Sequence, residues 1–440
     1  MAVFMHTLFN SLAKLRFLVL PLALLGFPSG AQAAEEEGRL PLEDLRIFAD
    51  IYNQIRIGYV EEIDDSTLLE YAIQGMLANL DPHSAYLNKD AFEDLQTSTT
   101  GEFSGLGLEV GMEDGFVKVI APIDGSPAAE AGLMAGDVIL KLNDKTVKDM
   151  TLNEAIEIMR GPKGSSIELQ IGRPGESQPF DVTLVRDTIK VASVRERFLE
   201  PGYGYIRIAQ FQSGTGGDIS AALARLMEEE VKGLVLDLRN NPGGVLGASI
   251  DVAGLFLDGG LVVYTEGRLA NSDARYAARP GDASNGVPLV VLINGGSASA
   301  SEIVAGALQD HSRAVIMGTE SFGKGSVQTV MPISESRAVK LTTALYFTPN
   351  GRSIQAAGIE PDIIVERARV TAYDTSRELS EADLSRRLDN ANGDRKPEKR
   401  VSSDLLATDN QLYEALTLLK GVNILGGRKG PMQGTNKSGS

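Results

Sequence analysis

Three serines at alternate positions are the side chains best placed to do chemistry. Ser297, Ser299 and Ser301 alternate with alanine after an apolar run, residues 287–293, and an Asn-Gly-Gly turn. A sharp strand-to-helix turn that carries a serine is a known way to present a nucleophile. Serines at such turns usually serve structure, and Ser301 also suits a helix cap. The spacing alone leaves the choice among the three open.

A lysine in a glycine-flanked loop supplies the second chemical group. Lys324 lies in the sequence Phe-Gly-Lys-Gly, and Gln328 follows four residues later. A neutral lysine accepts a proton from a serine hydroxyl, but the pKa of a free lysine is near ~10.4, so burial must lower it. The apolar neighbours Phe322 and Val327 favour such burial. Together with the serine turn, this loop predicts a serine protease with a Ser-Lys dyad.

The composition removes several other kinds of catalysis. The chain has no cysteine, which excludes thiol catalysis and cysteine-based metal sites. Its histidines are His6, His83 and His311, too few for a confident metal site, so we expect no metal and no cofactor. His311 follows Ser299 by twelve residues, roughly 15–18 Å along a helix and too far for a Ser-His pair. A net charge of −17 without a long basic run argues against a nucleic-acid partner.

Residues 1–34 have the organisation of a cleavable signal peptide. Lys14 and Arg16 precede an apolar run, residues 17–27, and Ala-Gln-Ala at 31–33 is a typical cleavage site. The apolar run is shorter than the ~20 residues that span a membrane, which disfavours an uncleaved anchor. We therefore expect export to the periplasm or the cell exterior.

Residues 100–190 contain three glycine-rich and apolar segments in an ordered set. They read GLGL at 105–108, GSPAAEAGL at 125–133 and GDVILKLN at 136–143. This set resembles a bacterial PDZ domain, in which free backbone N–H groups hold a peptide carboxylate and a strand edge accepts the peptide as an added strand. The predicted peptide-binding residues are Gly105, Leu106, Gly107, Leu108, Ile156 and Met159, the last two on a helix with Leu152 and Ala155.

Residues 191–370 alternate between strand-like and helix-like patterns. Residues 203–208 and 235–239 read as strands, and an amphipathic helix lies between them. This alternation predicts a largely parallel α/β core, whose sites gather at the carboxyl ends of the strands. Gly243-Gly244 and the serine turn at 297–301 both fall just after predicted strands.

Five segments together carry a family resemblance. They are GMLANLDPHSAYL at 75–87, VLDLRNNPGG at 235–244, INGGSASASEIVAGALQD at 293–310, FGKGSVQT at 322–329 and YFTPNGRSIQAAGIEPD at 346–362. In this order, around a PDZ-like module, they resemble the carboxyl-terminal processing proteases over roughly residues 40–370.

The resemblance implies a fold, an activity and a set of site residues. The fold is α/β, with a crotonase-like protease core, an inserted PDZ domain and helical N- and C-terminal regions. Ser299 is implied as the nucleophile, Lys324 as the general base and Gln328 as the residue that orients the lysine. The backbone N–H groups of Gly244 and Ala300 are implied as the oxyanion hole. The implied activity is cleavage of exported proteins, cell-wall hydrolases among them, near C-termini that the PDZ domain engages.

The expected organisation has five parts. They are a signal peptide at 1–34, a helical region at 38–98, a PDZ domain at 100–190, a catalytic core at 191–370, and a linker, helix and disordered tail at 371–440. Leu412, Ala415, Leu416 and Leu419 recur at helical spacing, which suits either core packing or an oligomer contact. We favour the oligomer contact and expect a homo-oligomer through the N- and C-terminal helices. The resemblance also implies a lipoprotein adaptor with helical repeats and a PDZ domain that gates the site.

Two other functions compete with the protease. The first is a PDZ scaffold on an inactive protease-like core, and the second is a crotonase-type enzyme that acts on acyl-CoA. The presence of Ser299, Lys324 and Gln328 favours the protease over the scaffold. The export signal and the PDZ-like module argue against acyl-CoA chemistry.

Overall fold

A computed structural model describes residues 41–148, 150–269, 272–370, 384, 386–388 and 404–426. The chain divides into two units, residues 1–72 and residues 73–440. The predicted signal peptide, most of the predicted linker at 371–402 and the tail after residue 426 lie outside the described residues. Within those ranges, every helix is too short or too polar to cross a bilayer.

The first unit contains helix α1 (Leu42–Gly58) and the start of α2 (Asp65–Ala78). The Asp64 carboxylate holds the first turn of α2 because it accepts a hydrogen bond from the Thr67 N–H at 3.0 Å. No residue of α1 is buried. Its exposed apolar side chains are Leu42, Leu45, Ile47, Phe48, Ile51, Ile55 and Ile57.

The second unit continues through β1 (Ala85–Leu87) and α3 (Lys89–Thr100) into the PDZ-like module. The Asn88 side chain caps α3 by accepting from the Ala91 N–H at 3.0 Å. The module then comprises β2 (Glu102–Gly105), β3 (Leu108–Glu113), β4 (Phe116–Pro122), α4 (Pro127–Glu130), β5 (Val138–Leu142), β6 (Lys145–Thr146), α5 (Leu152–Met159), β7 (Ser166–Gly172), β8 (Phe180–Val185) and β9 (Asp187–Lys190).

The module is a small antiparallel unit with its own core. Its sheet has the order β3-β4-β5-β7-β8, with β6 paired to β5. Ile167, Leu169 and Ile171 alternate with more exposed residues along β7 and are buried against α5. This alternation is the pattern of a strand with one face on a core. Strands β2 and β9 pair with each other at the two ends of the module.

The rest of the second unit contains two sheets and the helices between their strands. The elements are β10 (Val194–Glu200), β11 (Tyr203–Ile208), α6 (Thr215–Met227), β12 (Gly233–Asp237), α7 (Leu246–Gly254), β13 (Leu261–Gly267), β14 (Ala274–Ala277), β15 (Leu289–Ile293), α8 (Ala300–Asp310), β16 (Val315–Gly318), β17 (Ser326–Ser334), β18 (Arg337–Phe347), β19 (Ile363–Ile364), α9 (Asp404–Thr408) and α10 (Asn410–Gly426).

The central sheet is mostly parallel, as predicted. Its strand order is β10-β11-β12-β15-β16-β19, and only β10 runs antiparallel to its neighbour. Every residue of β12 and β15 is buried because helices cover both faces. Asp237 pairs with Leu292, so the loops after β12 and β15 leave the sheet at the same edge.

The second sheet positions the lysine loop. It has the order β1-β18-β13-β14, and β17 forms a hairpin with β18. Because the loop that contains Lys324 leads directly into β17, the register of this hairpin sets where the lysine lies. Strand β1 pairs on β18 from Ala85 opposite Lys340 to Leu87 opposite Ala338.

The position of the C-terminal helix contradicts one prediction. The apolar face of α10 carries Leu412, Ala415, Leu416 and Leu419, all buried, and packs in one cluster with residues of β11, β12, β15 and β16. The opposite face of the sheet is covered by α6, α7 and α8. The apolar face of α10 is therefore covered within the chain, and the predicted oligomer contact through it is wrong.

We expect Leu416→Ala to lower the free energy of unfolding by about 2–5 kcal/mol. Leu416 is 3% exposed, so truncation leaves a cavity between α10 and the sheet. Val422→Ala, on the same helix but 42% exposed, should change the free energy by no more than about 0.5 kcal/mol. Urea denaturation of the two variants measures the difference. Equal losses would show that α10 is not part of the core.

Candidate active site

The loops after β12 and β15 are tied together at the carboxyl edge of the central sheet. Asn241 is fully buried between them. Its backbone carbonyl accepts hydrogen bonds from the Ala298 N–H and the Ser301 hydroxyl, each at 3.0 Å. Its side chain accepts from the Gly243 N–H and donates to the Ile208 carbonyl, each at 2.9 Å. This clamp holds the serine turn against the Gly-Gly turn.

The structure separates the three serines by what their hydroxyls contact. The Ser297 hydroxyl is buried and donates to the Leu238 carbonyl at 2.8 Å. The Ser301 hydroxyl is buried and donates to Asn241. Ser299 is the one of the three that lines a cavity. Two hydroxyls are therefore used to hold loops together, and that of Ser299 is left at an accessible surface.

The backbone at Ser299 is strained. Its φ is 55° and its ψ is −112°, a combination that costs a non-glycine residue about 1–3 kcal/mol. Helix α8 begins at the next residue, so Ser299 occupies the N-cap position, and the suggestion that Ser301 caps this helix is wrong. Such strain persists where surrounding contacts fix the turn, and it is typical of a nucleophile elbow.

The Gly243-Gly244 turn lies directly against this elbow. A Cβ on Gly243 would lie 2.7 Å from the Ala298 carbonyl oxygen and 2.9 Å from the Ala300 nitrogen. The φ of Gly244 is 142°, which favours glycine. In the part of the chain that the structure describes, the N–H groups of Gly244 and Ala300 have no hydrogen-bond acceptor. Two unpaired donors beside the elbow are what an oxyanion hole requires.

We expect Gly243→Ala to lower kcat/KM for protein cleavage by at least about 10²-fold, the effect of losing one oxyanion donor. The added methyl group meets backbone atoms on both sides of the elbow, and these cannot move without displacing the Ala300 N–H. Gly247→Ala is the control, because nothing lies within 4 Å of its added methyl group. An active Gly243→Ala protein would show that the two turns need not touch.

Lys324 is half-buried in the loop between β16 and β17. Burial, aided by the charge of Lys340, lowers the pKa of Lys324, and the carboxylates of Asp81 and Glu302 oppose this. A lowered pKa is the direction that a lysine base requires. Phe322, one of the two apolar neighbours expected to favour this burial, is itself 63% exposed.

Glu302 joins the serine turn to the lysine loop. It is fully buried in the first turn of α8. Oε1 accepts from the Ser321 hydroxyl and the Gly323 N–H, each at 2.6 Å. Oε2 accepts from the Ser299 N–H at 2.7 Å and the Lys324 N–H at 2.9 Å. Burial raises the pKa of Glu302, and these hydrogen bonds counteract the rise. One carboxylate therefore fixes the backbone of both predicted catalytic residues.

Tyr346 is a second link between the two residues. Its buried hydroxyl donates to the Lys324 carbonyl. Burial and the nearby Glu302 raise the pKa of Tyr346 well above its ordinary value, while a hydrogen bond with the Ser299 side chain opposes this. Among the described contacts, no hydrogen bond joins the Ser299 hydroxyl to Lys324 Nζ.

Gln328 lies in the same cavity but makes a different contact from the predicted one. Its Nε2 donates to the Ser326 hydroxyl at 3.0 Å and to the Thr342 hydroxyl at 3.4 Å. No hydrogen bond joins Gln328 to Lys324 among the described residues. The predicted role of orienting the lysine therefore requires a movement of the Lys324 side chain toward the amide.

A cavity of about 460 Å³ brings the predicted catalytic residues together. This volume falls in the range of ligand-binding sites. Polar and apolar side chains both line it, and α3 contributes to the lining. Its lining includes Leu95, Ser98, Thr99, Gln210, Gly243, Gly244, Val245, Leu246, Ser299, Ile303, Lys324, Ser326, Val327, Gln328, Val330, Lys340 and Tyr346.

His83 and His311, the histidines among the described residues, lie in different surroundings. His311 ends helix α8, and its Nε2 pairs with the Leu261 carbonyl at 2.7 Å. It is separated from Ser299 by the whole helix, which excludes a Ser-His pair with this residue. His83 lies in the loop before β1, where its pKa is lowered by burial and next by the charge of Lys324.

The predicted carboxylate-binding loop of the PDZ-like module has an open backbone. Leu106 is buried and anchors the loop in the core of the module. The carbonyls of Leu106 and Gly107 accept from Ala128 and Ile123, at 3.0 and 2.8 Å. The N–H groups of Leu106 and Gly107 have no acceptor in the described part of the chain. Gly105 lies at the end of β2, and Leu108 starts β3.

Helix α5 contributes to the core of the module as well as to the side predicted to bind a peptide. Ala155 and Met159 are buried in that core, and the predicted role of Met159 in the peptide pocket stays a prediction. Ile156 and Leu152 are only partly buried and remain on the side of the helix that a peptide can reach.

Glu302 and Tyr346 are the important residues that sequence reasoning misses. A signal for Glu302 exists, because an acidic residue three positions after Ser299 is the spacing of a capping box. Tyr346 has no such signal, since only the pairing of β13, β17 and β18 brings it to the serine turn.

Comparison with known proteins finds similar sequences for most of the chain. Residues 202–365 match the peptidase family S41 model, 118–173 a PDZ domain model and 27–91 the model of the activating protease CtpB N-terminal domain. The chain is 48% identical over 391 residues to a carboxy-terminal-processing protease of Bartonella bacilliformis, covering 86% of this chain and 89% of that protein. It is 38% identical over 368 residues to a carboxyl-terminal-processing protease of Synechocystis, covering 80% and 86%.

Proposed function

Because the chain belongs to the carboxy-terminal processing proteases of peptidase family S41, we propose that Ser299 is its nucleophile and Lys324 its general base. One observation carries this assignment. Of the three serines in the turn, Ser299 is the one whose side chain lines the cavity that Lys324 also lines. Its strained backbone and the two unpaired N–H groups beside it support the same role.

The proposed reaction begins with a change of partner for the Ser299 hydroxyl. It leaves Tyr346 and donates its proton to the neutral Nζ of Lys324 as Oγ attacks the peptide carbonyl. The N–H groups of Gly244 and Ala300 stabilise the oxyanion. Collapse of the tetrahedral intermediate forms an acyl-enzyme, and the Lys324 ammonium gives its proton to the leaving amine. Water then hydrolyses the ester with Lys324 again as base.

The PDZ domain is proposed to select and deliver the substrate. A PDZ domain binds peptide C-termini through a loop of free backbone N–H groups, and Leu106 and Gly107 offer such groups. Cleavage of a bound protein near its C-terminus follows, in line with the names of the relatives. Exported proteins, cell-wall hydrolases among them, are the proposed substrates, and occupancy of the domain is proposed to gate the site.

The proposed compartment is the periplasm, reached through the signal peptide at residues 1–34. A homo-oligomer contact through α1 is proposed, supported by the apolar side chains that this helix exposes. A lipoprotein adaptor with helical repeats is a further proposed partner.

The test of this function is hydrolysis of an unstructured protein such as β-casein by Ser299→Ala. We expect kcat/KM to fall by at least about 10³-fold, because removing a nucleophile leaves only binding and oxyanion stabilisation. Ser334→Ala, an exposed serine at the far end of β17, is the control and should keep full activity. Unchanged hydrolysis by Ser299→Ala would overturn the mechanism. An inactive natural chain, with peptide binding intact, would favour a PDZ scaffold.

A further inference from the structure

Residues 81–84, before strand β1, are linked through Thr342 to Gln328, which lines the active-site cavity. The Asp81 carboxylate accepts from the N–H groups of His83 and Ser84 at 2.7 and 2.9 Å and from the Ser84 hydroxyl at 2.6 Å. These bonds fold the segment into a closed turn. The Ser84 hydroxyl accepts from the Thr342 N–H at 3.1 Å, which fixes the turn on β18.

The Thr342 hydroxyl has a defined hydrogen-bond direction. It donates to Asp81 Oδ1 at 3.1 Å. The hydrogen bond from Ser84 lowers the pKa of Asp81 to about 2, so its carboxylate is ionised at neutral pH and only accepts. The single hydroxyl proton of Thr342 is therefore committed to Asp81. The oxygen of Thr342 is left to accept from its cross-strand neighbour, Gln328.

This direction determines which end of the Gln328 amide is free. Thr342 Oγ1 accepts from Gln328 Nε2 at 3.4 Å, and Ser326 Oγ accepts from the same nitrogen at 3.0 Å. The NH₂ group donates to two oxygens, so among the described residues the carbonyl Oε1 is left without a hydrogen-bond donor. A carbonyl accepts from an amine, which is what the residue that orients Lys324 must do.

We propose that Asp81 is a positioning residue of the protease, which through Thr342 fixes the Gln328 amide with its carbonyl available to Lys324 Nζ. The inference rests on the proposed function, because it gives Lys324 the role of base. Asp81 touches neither the substrate nor the reacting atoms. It acts through a series of hydrogen-bonded side chains, Asp81, Thr342 and Gln328, the last two on strands β18 and β17.

The first test breaks the chain of hydrogen bonds at Asp81 and at Thr342. Asp81→Ala and Thr342→Val should each lower kcat for peptide hydrolysis by about tenfold or more, with KM little changed, because part of a proton-transfer contribution is lost. Thr342→Ser keeps the hydroxyl and should restore activity. Asp64→Ala is the matched control, since Asp64 closes a similar turn through Ser66 and Thr67, and none of its described hydrogen bonds involves Thr342 or Gln328.

The second test asks whether Asp81 acts through Gln328. In a Gln328→Ala background, Asp81→Ala and Thr342→Val should lower kcat no further. An equal fall with and without Gln328 would show that Asp81 only supports the packing of β1 on β18, and would overturn the inference. Full activity of Asp81→Ala while Ser299→Ala is inactive would also overturn it and leave the proposed function standing. Activity that survives Ser299→Ala would overturn both.

A pH profile separates the charge of Asp81 from its hydrogen bond. Lys324 is faced by Lys340, Asp81, Glu302 and His83, and the Asp81 carboxylate raises its pKa. Asp81→Asn keeps an oxygen for Thr342 but removes the charge, so the acidic limb of kcat/KM should move to lower pH with high activity retained. Thr342→Val should lower kcat at every pH but leave the acidic limb of the pH profile at the same pH. Loss of activity in Asp81→Asn equal to that in Asp81→Ala would contradict the inference.

Discussion

Replacing Lys324 with methionine is expected to lower kcat/KM by about 10³-fold or more in a protein that still folds. Methionine keeps most of the length of the side chain and fills the half-buried position, but it cannot accept the Ser299 proton. Lys324→Arg should be as inactive, because a guanidinium is not deprotonated in proteins. Thermal denaturation of both variants is the control. Loss of activity supports the role of Lys324 as base only in a variant that unfolds at the same temperature as the natural chain.

The pH dependence of the natural chain follows from the direction of the Lys324 shift. Burial lowers the pKa of Lys324, so its neutral form appears at lower pH than that of a free lysine. The rate should therefore rise with pH through this lowered pKa. The Lys340 charge helps to lower the pKa of Lys324. Lys340→Met should therefore raise this pKa and move the acidic limb of the pH–rate profile to higher pH. A rate that does not vary with pH would exclude a lysine base.

The second large effect is expected from Glu302→Gln. Each carboxylate oxygen accepts two hydrogen bonds, so either orientation of the glutamine amide places an NH₂ group against two donors. Two buried donors lose their acceptor, at about 1–3 kcal/mol each. We expect the free energy of unfolding to fall by about 2–6 kcal/mol. Displacement of the serine turn or the lysine loop should lower kcat/KM by about 10²-fold.

Glu320→Gln is the matched control for this change. Glu320 is exposed in the same loop, two residues after the end of β16, and the substitution should alter neither stability nor rate. Chemical denaturation and peptide hydrolysis measure both properties on each variant. A stable and active Glu302→Gln protein would show that the carboxylate does not hold the two loops together.

Much of the architecture follows from local patterns in the sequence. Residues 235–239 and 287–293 are predicted as strands of a largely parallel core, and β12 and β15 lie in such a sheet, with every residue buried. The C-terminal helix shows what local patterns cannot predict, which is the surface that an apolar helix face covers. An apolar stripe such as Leu412 and Leu416 looks the same whether it covers the chain's own sheet or another copy, and only the fold decides.

The candidate site was predictable where its chemistry is local. Ser299 and Lys324 each lie in a short motif, and the structure places both on one cavity. Contacts between distant strands were beyond such reasoning. The position of Tyr346 and the partners of Gln328 depend on the register of the hairpin of β17 and β18, which no local spacing specifies. The exposure of Phe322 likewise depends on how its loop turns.

The most direct test of the Ser-Lys assignment is covalent labelling with a fluorophosphonate, followed by mass spectrometry of the digested protein. A nucleophilic serine activated by Lys324 should be labelled at Ser299, with a rate that rises with pH and falls at least about 10²-fold in Lys324→Met. Labelling of Ser297 or Ser301 instead, or an undiminished rate at Ser299 in Lys324→Met, would contradict the proposed dyad.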